Sequence, residues 1–444
     1  MPFRSPRARR LASARLAVLT GIFLLFTGPA YRLRASETTG SLNTDDRPEL
    51  RLSLDDALGR ARRQNPGVRA SREAEAAALG LFRQAGAWPN PEFQYEREQL
   101  KESGVATTEQ RVQIVQELDW SGARGARRTA ARHRREASSA RVSIAELDLD
   151  LEVRRQYAAR AVAERHVTIA DSLVSQFERA VASSEERRLA GEASDYEVRR
   201  LRIEAARLRS ESMARRTELD ASRIGLPLML GLPIDSVRVI TDWNELVRLS
   251  PLGAWPDSEL PDVVANHPER LEIDRERQAA AAERHSVRAS RWAGPSLGLG
   301  WKWSRLEPTG QADGPIVSIA IPLPLWNRSA GQVDAAEAEI RRLTIEMDGI
   351  ERRLSADLRR MWEAARSADA RLAELDELMD TEMPLLLTTA ETAWREGEFT
   401  LLEWLDAVRA AADLESEHLA LLLQRFVRRA ELTRALARLT MEAS

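Results

Sequence analysis

The chain has 444 residues, 66 basic and 69 acidic side chains, a formal charge of −3 and no cysteine. That balance gives no case for a nucleic-acid partner, and the missing thiols exclude disulfides, thiolate metal sites and lipid attachment at a mature N-terminal cysteine. With 43% hydrophobic, 5% aromatic and 30% charged residues, the composition points to long amphipathic helices rather than compact cores.

Residues 1–30 read as a secretory signal. Arg4, Arg7, Arg9, Arg10 and Arg15 precede the short apolar run Leu16–Phe26, and Gly28-Pro29-Ala30 supplies small residues for cleavage. The run is too short to span a bilayer as a helix. Losing those five arginines takes the formal charge from −3 to −8. Residues 31–51 are a polar tether. Ser53 caps a helix over Leu54–Gln64, which Asn65-Pro66 ends. A second helix over Val68–Ala87 closes at Trp88-Pro89-Asn90-Pro91. Two strands follow within 92–118, joined by Lys101–Ala106, and after Trp120 a long helix starts near Ala123 and turns at 188–195. Leu232–Pro261, rich in proline, is a connector in which Val237–Ile240 adds a short strand.

Residues 262–441 then repeat 52–231. Asn65-Pro66 is echoed by His267-Pro268, Pro91 by Pro295, Trp120 by Trp326 and Gly191 by Gly397. The second pair of strands, within 296–323, is the clearer one. Leu297, Leu299, Trp301 and Trp303 alternate, Glu307–Gly314 turns, and Val317, Ile319, Ile321 and Leu323 alternate again. A second long helix follows and turns at 395–400.

Strands of about nine to eleven residues have the length that crosses a bilayer in a β-barrel, and alternating Trp on an apolar face suits a lipid-facing wall with an interfacial girdle. Four strands cannot close a barrel, and an open edge in lipid leaves unpaired backbone groups at several kcal/mol each. Other copies of the chain must therefore complete the ring, two copies giving eight strands and three giving twelve. The long helices, each about 65 residues and roughly 100 Å, carry narrow apolar stripes at coiled-coil spacing, such as Ile169, Leu173, Phe177 and Val181.

The two copies, the helical hairpins and the paired strands resemble the TolC family of outer-membrane efflux channels. Ser53-Leu54-Asp55-Asp56-Ala57-Leu58 with Asn65-Pro66 is similar to that family's opening helix. Trp88-Pro89-Asn90-Pro91 and Ile321-Pro322-Leu323-Pro324-Leu325-Trp326-Asn327-Arg328 resemble its CzcC-type heavy-metal branch. The resemblance implies a mainly α chain with a small membrane β part. Three such chains make a homotrimer, a twelve-strand β-barrel in outer-membrane lipid continued by a long α-helical barrel through the periplasm. Its partners would be a periplasmic adaptor and an inner-membrane RND pump. Many relatives in that branch are lipoproteins, whereas this chain has no cysteine to acylate.

The five histidines, at 133, 166, 267, 285 and 418, have no zinc-like spacing. Glu415-x-x-His418 is half of a di-iron helix motif without its second half. No catalytic residues, cofactor or metal site are expected. The informative polar residues follow the two turns, where Gly191-x-x-Ser194-x-x-Glu197 and Gly397-x-x-Thr400-x-x-Glu403-x-x-Asp406 share a layout. Gly supplies a left-handed turn residue, Ser or Thr caps the outgoing helix, and an acid follows in its first turn. Asp406 lies beyond that turn, on the same face as Glu403. By resemblance Glu403 and Asp406, with Glu197, form an acidic ring at the periplasmic gate, and Trp394 is an aromatic latch. Gly191, Ser194, Gly397 and Thr400 mark the tips that meet the adaptor. The function expected is an exit duct for metal cations, the alternatives being a multidrug or type I secretion channel of the same fold and a periplasmic coiled-coil scaffold.

Overall fold

The computed structural model describes residues 49–437 apart from 103–104, 233–237, 251, 254, 256–258, 292–293, 308–309 and 327. The expected signal segment, the tether up to residue 48, and Pro233, Pro251 and Pro256 lie outside the described residues. In chain order the elements are β1 (Glu49–Leu52), α1 (Leu54–Gln64), α2 (Pro66–Ala85), β2 (Glu92–Glu102), β3 (Val105–Glu117), α3 (Ala123–Leu189) and α4 (Asp195–Ala221). The connector holds α5 (Gly225–Met229), β4 (Arg238–Thr241) and α6 (Asn244–Val247). After it come α7 (Leu260–Asn266), α8 (Pro268–Ala289), β5 (Ser296–Glu307), β6 (Gly310–Ala320), α9 (Ala330–Glu396) and α10 (Leu401–Ala435).

Local chemistry sets the starts of these helices. Ser53 Oγ accepts the Asp56 amide at the head of α1. α2 and α8 begin alike: Asn65 Oδ1 accepts the Gly67 amide, His267 Nδ1 accepts the Glu269 amide, and a proline follows each cap. α3 and α9 each run 67 residues, roughly 100 Å. Inside α9, Pro384 removes one backbone donor.

Ion pairs trace how the rods lie. The first part of α3 meets α2 through Arg72–Glu146 and α8 through Arg141–Glu272, and its later part meets α4 through Arg202–Glu185 and Arg209–Glu178. Narrow apolar stripes cannot build one large core, so burial falls into separate clusters. The largest joins Leu54, Leu58, Val153, Tyr157, Leu226, Leu246, Leu422 and Phe426 around the middle of α3. A second lies near the two turns, and a third joins Val264, Leu354, Leu358 and Ala435.

The chain start and the connector meet in a parallel pair, Glu49–Leu52 against Arg238–Thr241. The tether expected over 31–51 thus ends in a strand. The buried Tyr157 pins this pair to α3, its hydroxyl donating to the Leu52 carbonyl at 3.0 Å and accepting the Asp242 amide at 2.7 Å. Downstream, Asp369 of α9 accepts the Leu252 amide at 3.0 Å and pairs with Arg425 and Arg429 of α10, whose guanidiniums also reach the Leu249 and Ser250 carbonyls.

The other sheet is an antiparallel meander in the order β2-β3-β5-β6. Two expected boundaries move. The turn placed at Glu307–Gly314 is shorter, because β5 reaches Glu307 and β6 restarts at Gly310. β6 stops at Ala320 rather than Leu323, where Pro322 and Pro324 cannot donate to a ladder.

Candidate functional site at the sheet and the helical turns

Register sorts the meander into two faces. Phe93, Ile114, Leu299 and Val317 align across the four strands, as do Tyr95, Val112, Trp301 and Pro315. Leu297 and Ile319 pair on the same face, one row on, and Trp303 lies on it toward the hairpin end. Leu299, Trp301, Trp303 and Ile319 are all exposed in the single chain. Trp301 Nε1 donates to Asp313 at 3.0 Å, giving the ring a wet side. Ile321, expected on this face, lies beyond the strand but is also exposed. The opposite face is polar. It carries Gln113 bonded to Gln94 and Ser318, Arg111 paired with Glu96, and Lys302 paired with Glu109 at 2.6 Å. Each edge of the sheet, β2 on one side and β6 on the other, has no strand partner among the described residues.

At the far ends of the long helices the two turns are built alike. Gly191 and Gly397 have φ of +81° and +82°, a region that β-branched side chains resist. Ser194 Oγ accepts the Glu197 amide at 3.1 Å, and Thr400 Oγ1 accepts the Glu403 amide at 3.3 Å. In the second turn the box closes fully: Glu403 Oε2 accepts from the Thr400 amide at 2.7 Å and from its hydroxyl at 2.8 Å. Those bonds, the backbone one first, hold the Glu403 carboxyl below the usual glutamate range. In the single chain the Glu403 carboxylate thus turns back on its own cap.

Glu197 is committed as well, accepting from Ser184 of α3 at 3.2 Å with Arg187 at 3.9 Å. Trp394 is buried, 6% exposed, and stacks on Trp404, which in turn meets Phe177 of α3 with centroids 5.2 Å apart. Leu201, Ala205, Leu405 and Val408 complete this core. Beside it Arg409 of α10 reaches Glu204 of α4 at 2.6 Å.

Asp406 is different. It is exposed and forms no hydrogen bond or ion pair among the described residues. Ala410, Asp413, Glu417 and Ala420 continue its face at helical spacing, all exposed, and neither added acid has a partner among the described residues. From Glu403 to Glu417 the stripe covers about 21 Å of helix. The half-motif Glu415-x-x-His418 separates, Glu415 reaching Arg165 and His418 reaching Asp376 at 2.7 Å.

Residues 57–232 match the family described as outer membrane efflux protein. The chain is also similar to the cobalt-zinc-cadmium resistance protein CzcC of Cupriavidus metallidurans, 23% identical across 429 residues, 96% of this chain and all of that protein. Its fold is that of CusC, with a TM-score of 0.68 and 19% identity over 86% of this chain and 91% of that one. The outer membrane protein VceC of Vibrio cholerae gives 0.66 at 16% identity, covering 87% and 96%. The open-state MtrE outer membrane channel of Neisseria gonorrhoeae gives 0.66 at 18%, covering 87% and 89%. The chain thus shares with these structures a mainly α architecture with a small sheet.

Proposed function

We infer that the protein is the outer-membrane exit duct of a tripartite, RND-type exporter of heavy-metal cations. The observation that carries this is a four-stranded sheet, apolar on one face and open at both edges, which runs without a separate domain into two 67-residue helices. Such a sheet is stable in lipid only when its edges are closed by further copies, and three copies give a twelve-strand barrel continued by a helical tube through the periplasm. The channel does no chemistry. Energy comes from an inner-membrane pump, reached through a periplasmic adaptor that meets the turns at Gly191–Ser194 and Gly397–Thr400.

Metal cargo is supported by the full-length likeness to a protein named for cobalt, zinc and cadmium resistance. It is also consistent with the acidic face of α10. Asp406, rather than the capped Glu403, is the acid free to line the entrance, and Glu197 and Trp394 hold the helices that frame it. The test is deletion of the gene in its host, with growth measured against graded zinc, cobalt and cadmium and against hydrophobic drugs. Metal sensitivity with unchanged drug tolerance is expected. The reverse pattern would favour a multidrug duct and overturn the cargo.

A further inference from the structure

Where the sheet gives way to the helices, the crossing segments are sewn into one level. Arg124 donates to the Gly86 carbonyl at 3.0 Å, Gln116 to the Pro89 carbonyl at 3.0 Å, the Leu118 amide to the Pro295 carbonyl at 2.9 Å, and Ser286 to the Ala123 carbonyl at 3.3 Å. β6 ends at the same level, Ala320 pairing with Ser296. Just past this last row stand Leu118, Trp120, Leu323, Leu325 and Trp326, all exposed, with Trp120 at 62% and Trp326 at 92%. They prolong the apolar face of the sheet beyond its final strand pairs.

Charge at this level is lopsided. α3 opens with Arg124, Arg127, Arg128, Arg132, Arg134 and Arg135 before its first acid, Glu136. A helix start carries the positive end of the macrodipole and ordinarily favours acids. Arg124 faces Asp119 at 3.6 Å, Arg132 faces Glu136 at 3.7 Å and Arg134 faces Glu283 at 3.3 Å, whereas Arg127, Arg128 and Arg135 meet no acid among the described residues, so an outside anion is the natural counterpart of those three. Arg124 lies over the half-exposed Trp88 ring at 4.1 Å and Arg128 over Phe82 at 5.3 Å, while Arg127 has no partner among the described residues.

We propose that this collar docks on the phosphate headgroups of the leaflet the sheet enters, with Trp120 and Trp326 at the acyl boundary and Arg127 and Arg128 on anionic phospholipid. It rests on the reading of the apolar sheet face as membrane-embedded. Planar guanidiniums match phosphate oxygens in pairs, and rings that are apolar with one polar atom suit the headgroup boundary. An acidic patch on a soluble partner would answer the charge but not the adjoining apolar belt.

The test uses the full chain reconstituted in vesicles of phosphatidylcholine alone or mixed with phosphatidylglycerol, followed by detergent extraction and analysis of retained lipid. Wild type is expected to retain phosphatidylglycerol preferentially, by a factor of about five for each arginine engaged. Arg127→Gln with Arg128→Gln should lose that preference yet still insert. If the double variant fails to assemble, Arg127→Gln alone decides, because that side chain has no hydrogen bond or ion pair to break among the described residues. Equal preference in wild type and variant, no preference in wild type, or full displacement by inorganic phosphate would overturn the proposal. A wrong reading of the sheet would show differently, as protein that never floats with either vesicle.

Discussion

Trp394 of α9 and Trp404 of α10 stack with ring centroids 4.7 Å apart and planes 17° apart, and through Phe177 that stack reaches α3. Two hairpins from two copies of one plan therefore share a single aromatic core at their turns. Trp404→Ala should cost about 3–5 kcal/mol of local stability, as expected for emptying a buried aromatic site. Limited proteolysis is the measure: cleavage near 190 and 397 should quicken while the sheet end is unaffected. An unchanged cleavage rate would mean that the core is held elsewhere.

Conductance should separate the free acids from the capped one. Asp406→Asn combined with Asp413→Asn and Glu417→Gln removes an unpaired stripe and leaves every cap intact. In planar bilayers the variant should lose cation selectivity and weaken block by multivalent cations. Unaltered selectivity would reduce the stripe to ordinary surface charge.

The second turn should also be acid-sensitive. The Glu403 carboxyl is held below its usual range by its bonds to Thr400, so its contribution is present above the unfolded-state pKa and fades as pH falls through the lowered folded value. Hydrogen exchange at the Thr400 amide should quicken over that window. Glu403→Gln should abolish this pH dependence; a dependence that persisted in the variant would assign it to another group.

On the sheet, Ile319→Arg places a charge on the apolar face, at roughly 2–4 kcal/mol near the bilayer midplane. The expected result is loss of the heat-resistant oligomer from the outer-membrane fraction. Normal assembly would mean that this face does not meet lipid.

Much of the architecture was legible in the sequence because it depends on periodicity and punctuation. The period-2 rows around Trp301 and Ile319, the caps at Ser53 and Asn65, and the left-handed Gly191 and Gly397 are local signals, and the structure holds each in the conformation its chemistry favours. What escaped is long-range or depends on rotamers. β1 is four residues whose partner lies in the connector, so no local pattern marks it. Trp404 carries no spacing signal apart from its neighbours Leu401, Leu405 and Val408. The direction of the Glu403 carboxylate is settled by a bond at its own cap, and spacing alone placed it beside Asp406. Asp413 and Glu417 were visible as a continuation of the Asp406 face at steps of seven and eleven.

Tyr157 bears on the order in which the chain folds. It joins the strand that begins the described chain to the segment after β4, so this pairing closes a loop of about 190 residues. The entropic cost grows only logarithmically with that length, but the timing is fixed by synthesis. Until Thr241 and Asp242 have been made and delivered, Glu49–Leu52 has no partner strand and Tyr157 no second hydrogen bond. The first repeat can assemble its long hairpin early, yet its own opening strand must wait for the linker to the second.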